Sequence, residues 1–221
     1  MRPLLDLLLP ASCAACGRPG QVVCSACAAP LLGPAAIRWP TPAPVGLPAP
    51  FAVADYAGTA RAVLLAYKER DQVGLTLVLA QALGTAIATA GQAVGCTPPP
   101  MVVAVPSTRA ARRRRGYDHA LRLARATGSG VVVPALQHVR DVRDSAGLSA
   151  AERAHNLAGA FAVRRSTRDL VAGRTVILVD DVVTTGATLA DAARALRAEG
   201  AVVPVAAVVA ATRRTSRTVP E

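Results

Sequence analysis

The sequence predicts an α/β protein: a mainly parallel sheet flanked by helices, preceded by a small cysteine module. Three observations carry this. Short apolar runs such as Met101–Val105 and Val176–Val179 are separated by longer stretches of helical period. Val176-Ile-Leu-Val179 enters Asp180-Asp181 without polar alternation, the pattern of a strand buried on both faces of a parallel sheet. Near the amino terminus, Cys13-Ala-Ala-Cys16 and Cys24-Ser-Ala-Cys27 form two C-x-x-C pairs.

The 221 residues suit one medium domain with an appendage, and 52% hydrophobic composition is ample for a core. Only 3% is aromatic, so that core has to be built from Ala, Val and Leu. The same scarcity weighs against base-stacking platforms as the main way of holding nucleic acid. A formal charge of +11 attracts polyanions, whether a diphosphate or a nucleic-acid backbone, and does not choose between them. The longest candidate for a membrane span, Ala201–Ala211, is short and contains Pro204, and Asp6 and Pro10 interrupt the apolar start. Residues 1–13 therefore read as a short amphipathic helix, and the expectation is a cytoplasmic protein with no membrane partner.

Each C-x-x-C places two thiolates on one turn, and two such turns can close a tetrahedral four-sulfur shell. Cys13, Cys16, Cys24 and Cys27 are the expected ligands of a structural Zn²⁺, with Gly17 suited to a tight knuckle and no substrate position left open. Cys96 reads as an ordinary free cysteine. Pro34, Pro40, Pro42, Pro44, Pro48 and Pro50 mark a linker, with Trp39 as a packing anchor within it. The predicted division is a zinc-binding module with linker over 1–48 and a larger domain over 49–221.

Phe51–Tyr56 alternates as a half-exposed strand, followed by helices over about 59–70 and 73–90. Lys68, the sole lysine, reads on periodicity alone as a solvated helix-end charge. Met101–Val105 is a second buried strand, ending in Pro106-Ser107-Thr108-Arg109 and then Arg112-Arg113-Arg114-Arg115-Gly116-Tyr117. Small polar residues backed by guanidinium groups suit a diphosphate, and a solvated arginine run is the alternative. A helix should follow over 118–126, with His119 as a polar contact rather than a base. A third strand is expected from Val131 to about Val139. The polar stretch from Arg140 to Gly159, with Ser145, Leu148, Arg153, His155 and Asn156, reads either as a lid or as a surface helix over 149–157.

Beyond Asp180 and Asp181, the turn Thr184-Thr185-Gly186-Ala187-Thr188 opens an amphipathic helix that ends near Gly200. Backbone N–H groups of such a turn, with Thr hydroxyls, form a cradle for a phosphate dianion. Adjacent strand side chains face opposite ways, so the two aspartates should differ in role. One can accept a pair of sugar hydroxyls. Cradle and acceptor together describe a ribose 5-phosphate site. A strand for Ala201–Ala211 and a frayed tail complete the chain.

The run Val176–Thr188 resembles the PRPP-binding motif of type I phosphoribosyltransferases. With the four cysteines, Tyr67-Lys68, the Val-Pro strand end leading to Arg-Arg-Gly-Tyr117, and Leu148 to Phe161, the whole chain resembles the ComF family, phosphoribosyltransferase-like proteins associated with competence for DNA uptake. The resemblance implies a type I phosphoribosyltransferase fold with a small hood. It implies that Thr184–Thr188 hold the 5-phosphate, that Asp180 and Asp181 serve the ribose hydroxyls, and that Ser107, Thr108 and Arg109 form the pyrophosphate loop. Mg²⁺ would accompany PRPP, and Lys68, Arg112, Arg115 and Arg153 would be lid or basic contacts. Two departures stand out: Asp118-His119 replaces the Asn-Gln of many relatives, and Ser145 a Gln. The implied reaction is displacement of pyrophosphate from PRPP by a nitrogen acceptor. The alternative is a non-catalytic module that handles single-stranded DNA or proteins of the competence machinery. No residue stands out as general base.

Overall fold

The computed structural model describes residues 11–96, 99–139 and 159–212. Residues 1–10 of the helix expected over 1–13, the stretch holding Ser145 and Arg153, and the tail after Thr212 lie outside the described residues, while Ser12 forms an isolated bridge with Pro19 rather than a helical turn.

Along the chain, helix α1 (Ser25–Ala28) closes the cysteine module, and β1 (Ala36–Ile37) precedes β2 (Ala49–Asp55). Helices α2 (Gly58–Glu69) and α3 (Thr76–Ala93) follow, then β3 (Met101–Ala104), α4 (Arg109–Arg115) and α5 (His119–Thr127). Next come β4 (Val131–Val132), β5 (Leu136–His138), β6 (Phe161–Val163) and the short α6 (Arg168–Val171). The chain then forms β7 (Thr175–Val179), β8 (Val182–Val183), α7 (Ala187–Ala198) and β9 (Val202–Ala211).

A seven-stranded sheet runs in the order β1-β2-β9-β7-β3-β4, with β8 also pairing β9. Among the described residues, only the β1–β2 pair in this sheet is antiparallel. Ile177 and Val179 of β7 point into a core shared with α2, α3 and α5, while Val176 and Leu178 pack against α7 and the β5–β6 hairpin. All four are fully buried, as a central parallel strand requires. Pro204 sits inside the central strand β9 because the register slips there: Thr175 faces Val202 but Ile177 faces Val205. The irregularity removes the ladder bond that proline has no N–H to make.

Several expectations change. Residues Pro50 to Ala54 of β2 are all buried, not half-exposed, because Phe51 and Val53 join one core and Ala52 the other. The single strand expected over 131–139 is two, β4 in the main sheet and β5 paired antiparallel with β6, with Pro134 between them. The proline-rich stretch is not a free spacer: β1 joins the sheet edge, Arg38 makes a 2.5 Å ion pair with Asp55, and Arg197 donates to the Gly46 carbonyl at 2.5 Å. Trp39 anchors no core, being half exposed.

The longest apolar element is helical, not Ala201–Ala211: Val73–Ala93, with a mean hydropathy of 1.7, is long and apolar enough to cross a membrane. Here Leu79, Leu83 and Ile87 are buried in the sheet core, the environment of an interior helix.

Asp191 on α7 locks β6 to this layer. Its carboxylate accepts from the amides of Gly159 at 2.9 Å and Phe161 at 3.0 Å and pairs with Arg194 at 2.6 Å. Burial works against its charge, but Arg194 and the two amides hold the carboxyl below its ordinary value. Asp191→Ala should cost about 1–3 kcal/mol, chiefly by orphaning the buried Phe161 amide. Because its folded value is depressed, the native contribution is present above the unfolded value of about pH 4 and is lost as pH falls through the folded one. Denaturant melts of both chains at neutral and acidic pH check this: the gap between them should close on acidification.

Candidate functional site

β3 and β7 are parallel neighbours, so their carboxyl ends open on the same edge of the sheet. Val105 extends the pairing, donating to the Val179 carbonyl at 2.9 Å. This places the Pro106-Ser107-Thr108 loop beside Asp180 and Asp181. The ligand-binding edge expected from the sequence is therefore assembled from two separate segments.

The two aspartates do differ. Asp181 is buried, and its Oδ2 lies 2.6 Å from Lys68 Nζ at the end of α2. Asp180 is half-buried, and its Oδ1 accepts the Asp181 amide at 2.8 Å. Burial pushes the Asp180 carboxyl up to about 7; the Lys68 charge opposes this and Asp118 adds to it. Burial likewise lowers the Lys68 ammonium, with Asp180 raising it and Arg115 lowering it. Lys68 is thus no solvated helix-end charge. It is the counter-ion of the acidic pair, a role that only the packing of α2 over the sheet edge creates.

After β8 the chain turns at Thr184, which is exposed, and Thr185, whose Oγ1 accepts from the Ala187 amide at 3.4 Å. Gly186 caps α7 in the left-handed region, φ 78°. Ala187 and Thr188 form its first turn, where N–H groups lack intrahelical acceptors. A Cβ at Gly186 would lie 2.8 Å from Leu47 Cδ2 and 3.2 Å from Pro40 Cγ, so the proline-rich segment braces the turn from behind.

In the Ser107-Thr108-Arg109 segment, two groups are committed internally. The Ser107 amide donates to Asp118 Oδ2 at 2.7 Å, and Thr108 Oγ1 caps α4 by accepting from the Ala111 amide at 3.2 Å. Asp118 also caps α5 through the Leu121 amide. It is a structural tie between loop and helix that sequence reasoning missed, although Asp immediately before a helical period is the usual cap signal. Ser107, Arg109 and Arg112 form one wall of a cleft of ≈ 160 Å³, whose other wall is Gln137, His138 and Arg164. His138 Nε2 and the Pro106 carbonyl, 3.0 Å apart, join the walls. Arg164, Gln137 and His138 carried no signal in the sequence, since only the β5–β6 hairpin brings them here.

Helix α4 buries none of its side chains. Arg114 pairs with Glu69 at 3.2 Å, while Arg115 turns inward and donates to the Lys68 carbonyl at 3.1 Å. Arg115 is therefore a support for Lys68 more than an outward contact. His119 is buried between the rings of Tyr67 and Tyr117, at 4.9 and 5.0 Å, and burial with the Arg115 and Lys68 charges drops it to about 4. It stays neutral at physiological pH. Arg153 lies outside the described residues.

At the amino terminus, the four thiols of Cys13, Cys16, Cys24 and Cys27 lie within 4.8 Å of one another. A tetrahedral ion with sulfur bonds of ~2.3 Å spaces its sulfurs about 3.8 Å apart. Cys16 and Cys24 Sγ are 3.8 Å apart. Gly17 takes the left-handed turn, φ 76°, as a knuckle needs. Backbone amides of Cys16, Cys24 and Ala15 draw the Cys13 thiol down to about 6, whereas the crowding of Cys24, burial and the other sulfurs push Cys27 up to about 12. Four thiolates this close need a cation to coexist, and the donor set fits a metal ion. The module rests on the end of α2, where Arg70 donates to the Ala14 carbonyl at 3.1 Å.

Gly186→Ala tests the braced turn. A non-glycine residue in this left-handed region costs about 1–2 kcal/mol before the Leu47 contact is counted. The thermal midpoint should therefore fall by roughly 2–8 °C. An unchanged midpoint would mean that the turn is not held as described.

The family model for the phosphoribosyl transferase domain matches residues 114–221. That span contains the aspartates and the turn, but not Ser107–Arg109, Lys68 or the cysteines. The chain is also 32% identical over 138 residues to Competence protein F of Haemophilus influenzae, a match covering 61% of this chain and spanning only 60% of that protein's length. Together they show a chain whose carboxyl-terminal part matches the phosphoribosyl transferase domain and which is similar to Competence protein F over about three fifths of its length.

Proposed function

We propose that the protein binds PRPP at the carboxyl edge of β3 and β7 and transfers its phosphoribosyl group to a nitrogen acceptor, releasing pyrophosphate. The observation that carries this reading is the convergence of the Asp180–Asp181 pair, the Gly186 turn at the start of α7 and the Ser107–Arg109 loop on one sheet edge. Thr184 to Thr188 receive the 5-phosphate, the aspartates the ribose hydroxyls, and Arg109 with Arg112 the departing pyrophosphate. The carboxylate pair suits a hydrated Mg²⁺ carried in with the diphosphate, which would neutralise charge on the leaving group, while the arginine-lined cleft suits the diphosphate itself. The chain's own contribution is positioning and charge stabilisation. Competence for DNA uptake is the proposed setting, in keeping with the relative's name, and the cytoplasm the proposed compartment.

A second reading is favoured by one observation: the arginine helix α4, with Arg112, Arg113 and Arg114 exposed, continues the Arg109, Arg112 and Arg164 cleft. In it the protein is a binding module, and these cations follow the backbone of single-stranded DNA or meet proteins of the competence machinery. Calorimetric titration with PRPP and Mg²⁺ separates the two. Native protein should release heat that Asp180→Asn with Asp181→Asn abolishes, and pyrophosphate should appear once a suitable amine or base is present. No heat, with salt-dependent oligonucleotide binding that Arg112→Ala and Arg113→Ala weaken, would leave the second reading standing.

The four-thiol site is proposed to hold Zn²⁺ as a structural ion. Metal analysis should find about one zinc per chain, and stripping it with a chelator should lower the melting temperature without removing the α/β circular-dichroism signal. A chain purified without metal and unmoved by chelator would exclude the assignment.

A further inference from the structure

Lys68 is the only lysine in a chain whose other basic residues, three histidines aside, are all arginine. Its Nζ lies 2.6 Å from Asp181 Oδ2, yet the lysine side chain is 30% exposed and the aspartate 5%. The ammonium therefore reaches in from the rim to a carboxylate that solvent barely touches. Arg115 Nη1 holds the Lys68 carbonyl at 3.1 Å, and just beyond the helix end Arg70 ties α2 to Ala14. The backbone is anchored on two sides, and the flexible four-carbon stem is what can move.

Chemistry explains why an ammonium suits this position. A guanidinium fork would clamp the carboxylate through two parallel bonds, whereas an ammonium is a compact point charge on a flexible tether that can pass between two anions. Lys68 holds Asp181 at 2.6 Å and its charge also favours the ionised form of the neighbouring Asp180, against burial. An incoming sugar diphosphate brings hydroxyls that can satisfy Asp181 and phosphates that need the cation more.

We propose that Lys68 is a movable counter-ion, bound to Asp181 before ligand arrives and passed to an anionic phosphate group of the incoming sugar diphosphate as the ribose hydroxyls take over Asp181. This deepens the PRPP reading and rests on it. The exchange makes no covalent bond. One ion pair is traded for another, so binding need not leave either the carboxylate or the ammonium unpaired in a partly dry site. The groups around the ammonium are Asp181 and Asp180 at the end of β7, Arg115 on α4, Glu69 on its own helix and the neutral His119 on α5, with Asp118 acting on Asp180.

A sole lysine makes the test clean, because ¹⁵N-labelled protein carries a single lysine side-chain ammonium resonance. In native protein without ligand, a protected ammonium signal is expected. Saturating PRPP with Mg²⁺ should shift it, as should inorganic pyrophosphate with Mg²⁺ to a smaller extent. In ligand-free Asp181→Asn the signal should lose its protection. Lys68→Arg and Lys68→Met should each weaken PRPP binding by about tenfold or more. PRPP heat with an unmoved ammonium would overturn the exchange and leave the site reading intact. No PRPP heat from native protein would end both. The native titration needs no variant, so it decides the matter even where Asp181→Asn fails to fold.

Discussion

Everything at the functional edge follows from burying β7 on both faces. A strand with Val176, Ile177, Leu178 and Val179 all inaccessible offers no lateral exit for a polar group, so its first carboxylates appear where the strand ends. There they stand beside the loop after β3, because the parallel register sets Ala104 against Val179. The cost of placing two acids against a dry core is visible in the upward displacement of Asp180 and in the commitment of a lysine to Asp181.

That compensation links parts of the chain distant in sequence. Lys68 is carried by α2, its carbonyl is held by Arg115 from the arginine helix, and the same helix end supports the cysteine module through Arg70. On the other side of the site, Leu47 and Pro40 press on Gly186, and Arg197 of α7 grips the Gly46 carbonyl. The amino-terminal segment thus touches both halves of the site. A module that looks like an appendage in composition acts as a brace in three dimensions.

The arginines divide the same way. Their run suggested uniform contact with an anion, but packing gives them separate tasks. Arg109 and Arg112 line the cleft, Arg114 meets Glu69, and Arg115 turns inward. Asp118 also stands in for a second binding group: its carboxylate occupies the Ser107 amide, so the loop is preshaped by an internal anion. An anion arriving there meets a loop already ordered and cations already facing the opening.

By itself the sequence determined the features that depend on local pattern. These are the doubly buried strand, the helices over α2, α3, α5 and α7, the acid pair and glycine turn, and the four-thiol knuckle. Each is dictated by periodicity, by a conformational need such as the left-handed Gly186, or by fixed ligand spacing. Only the tertiary structure decided which elements meet. It turned a proline-rich spacer into a sheet edge, broke one strand into two around Pro134, and brought Arg164, Gln137 and His138 to the loop after β3. It also gave the single lysine an aspartate 113 positions away, since charge pairing across a sheet edge depends on packing that no local repeat encodes.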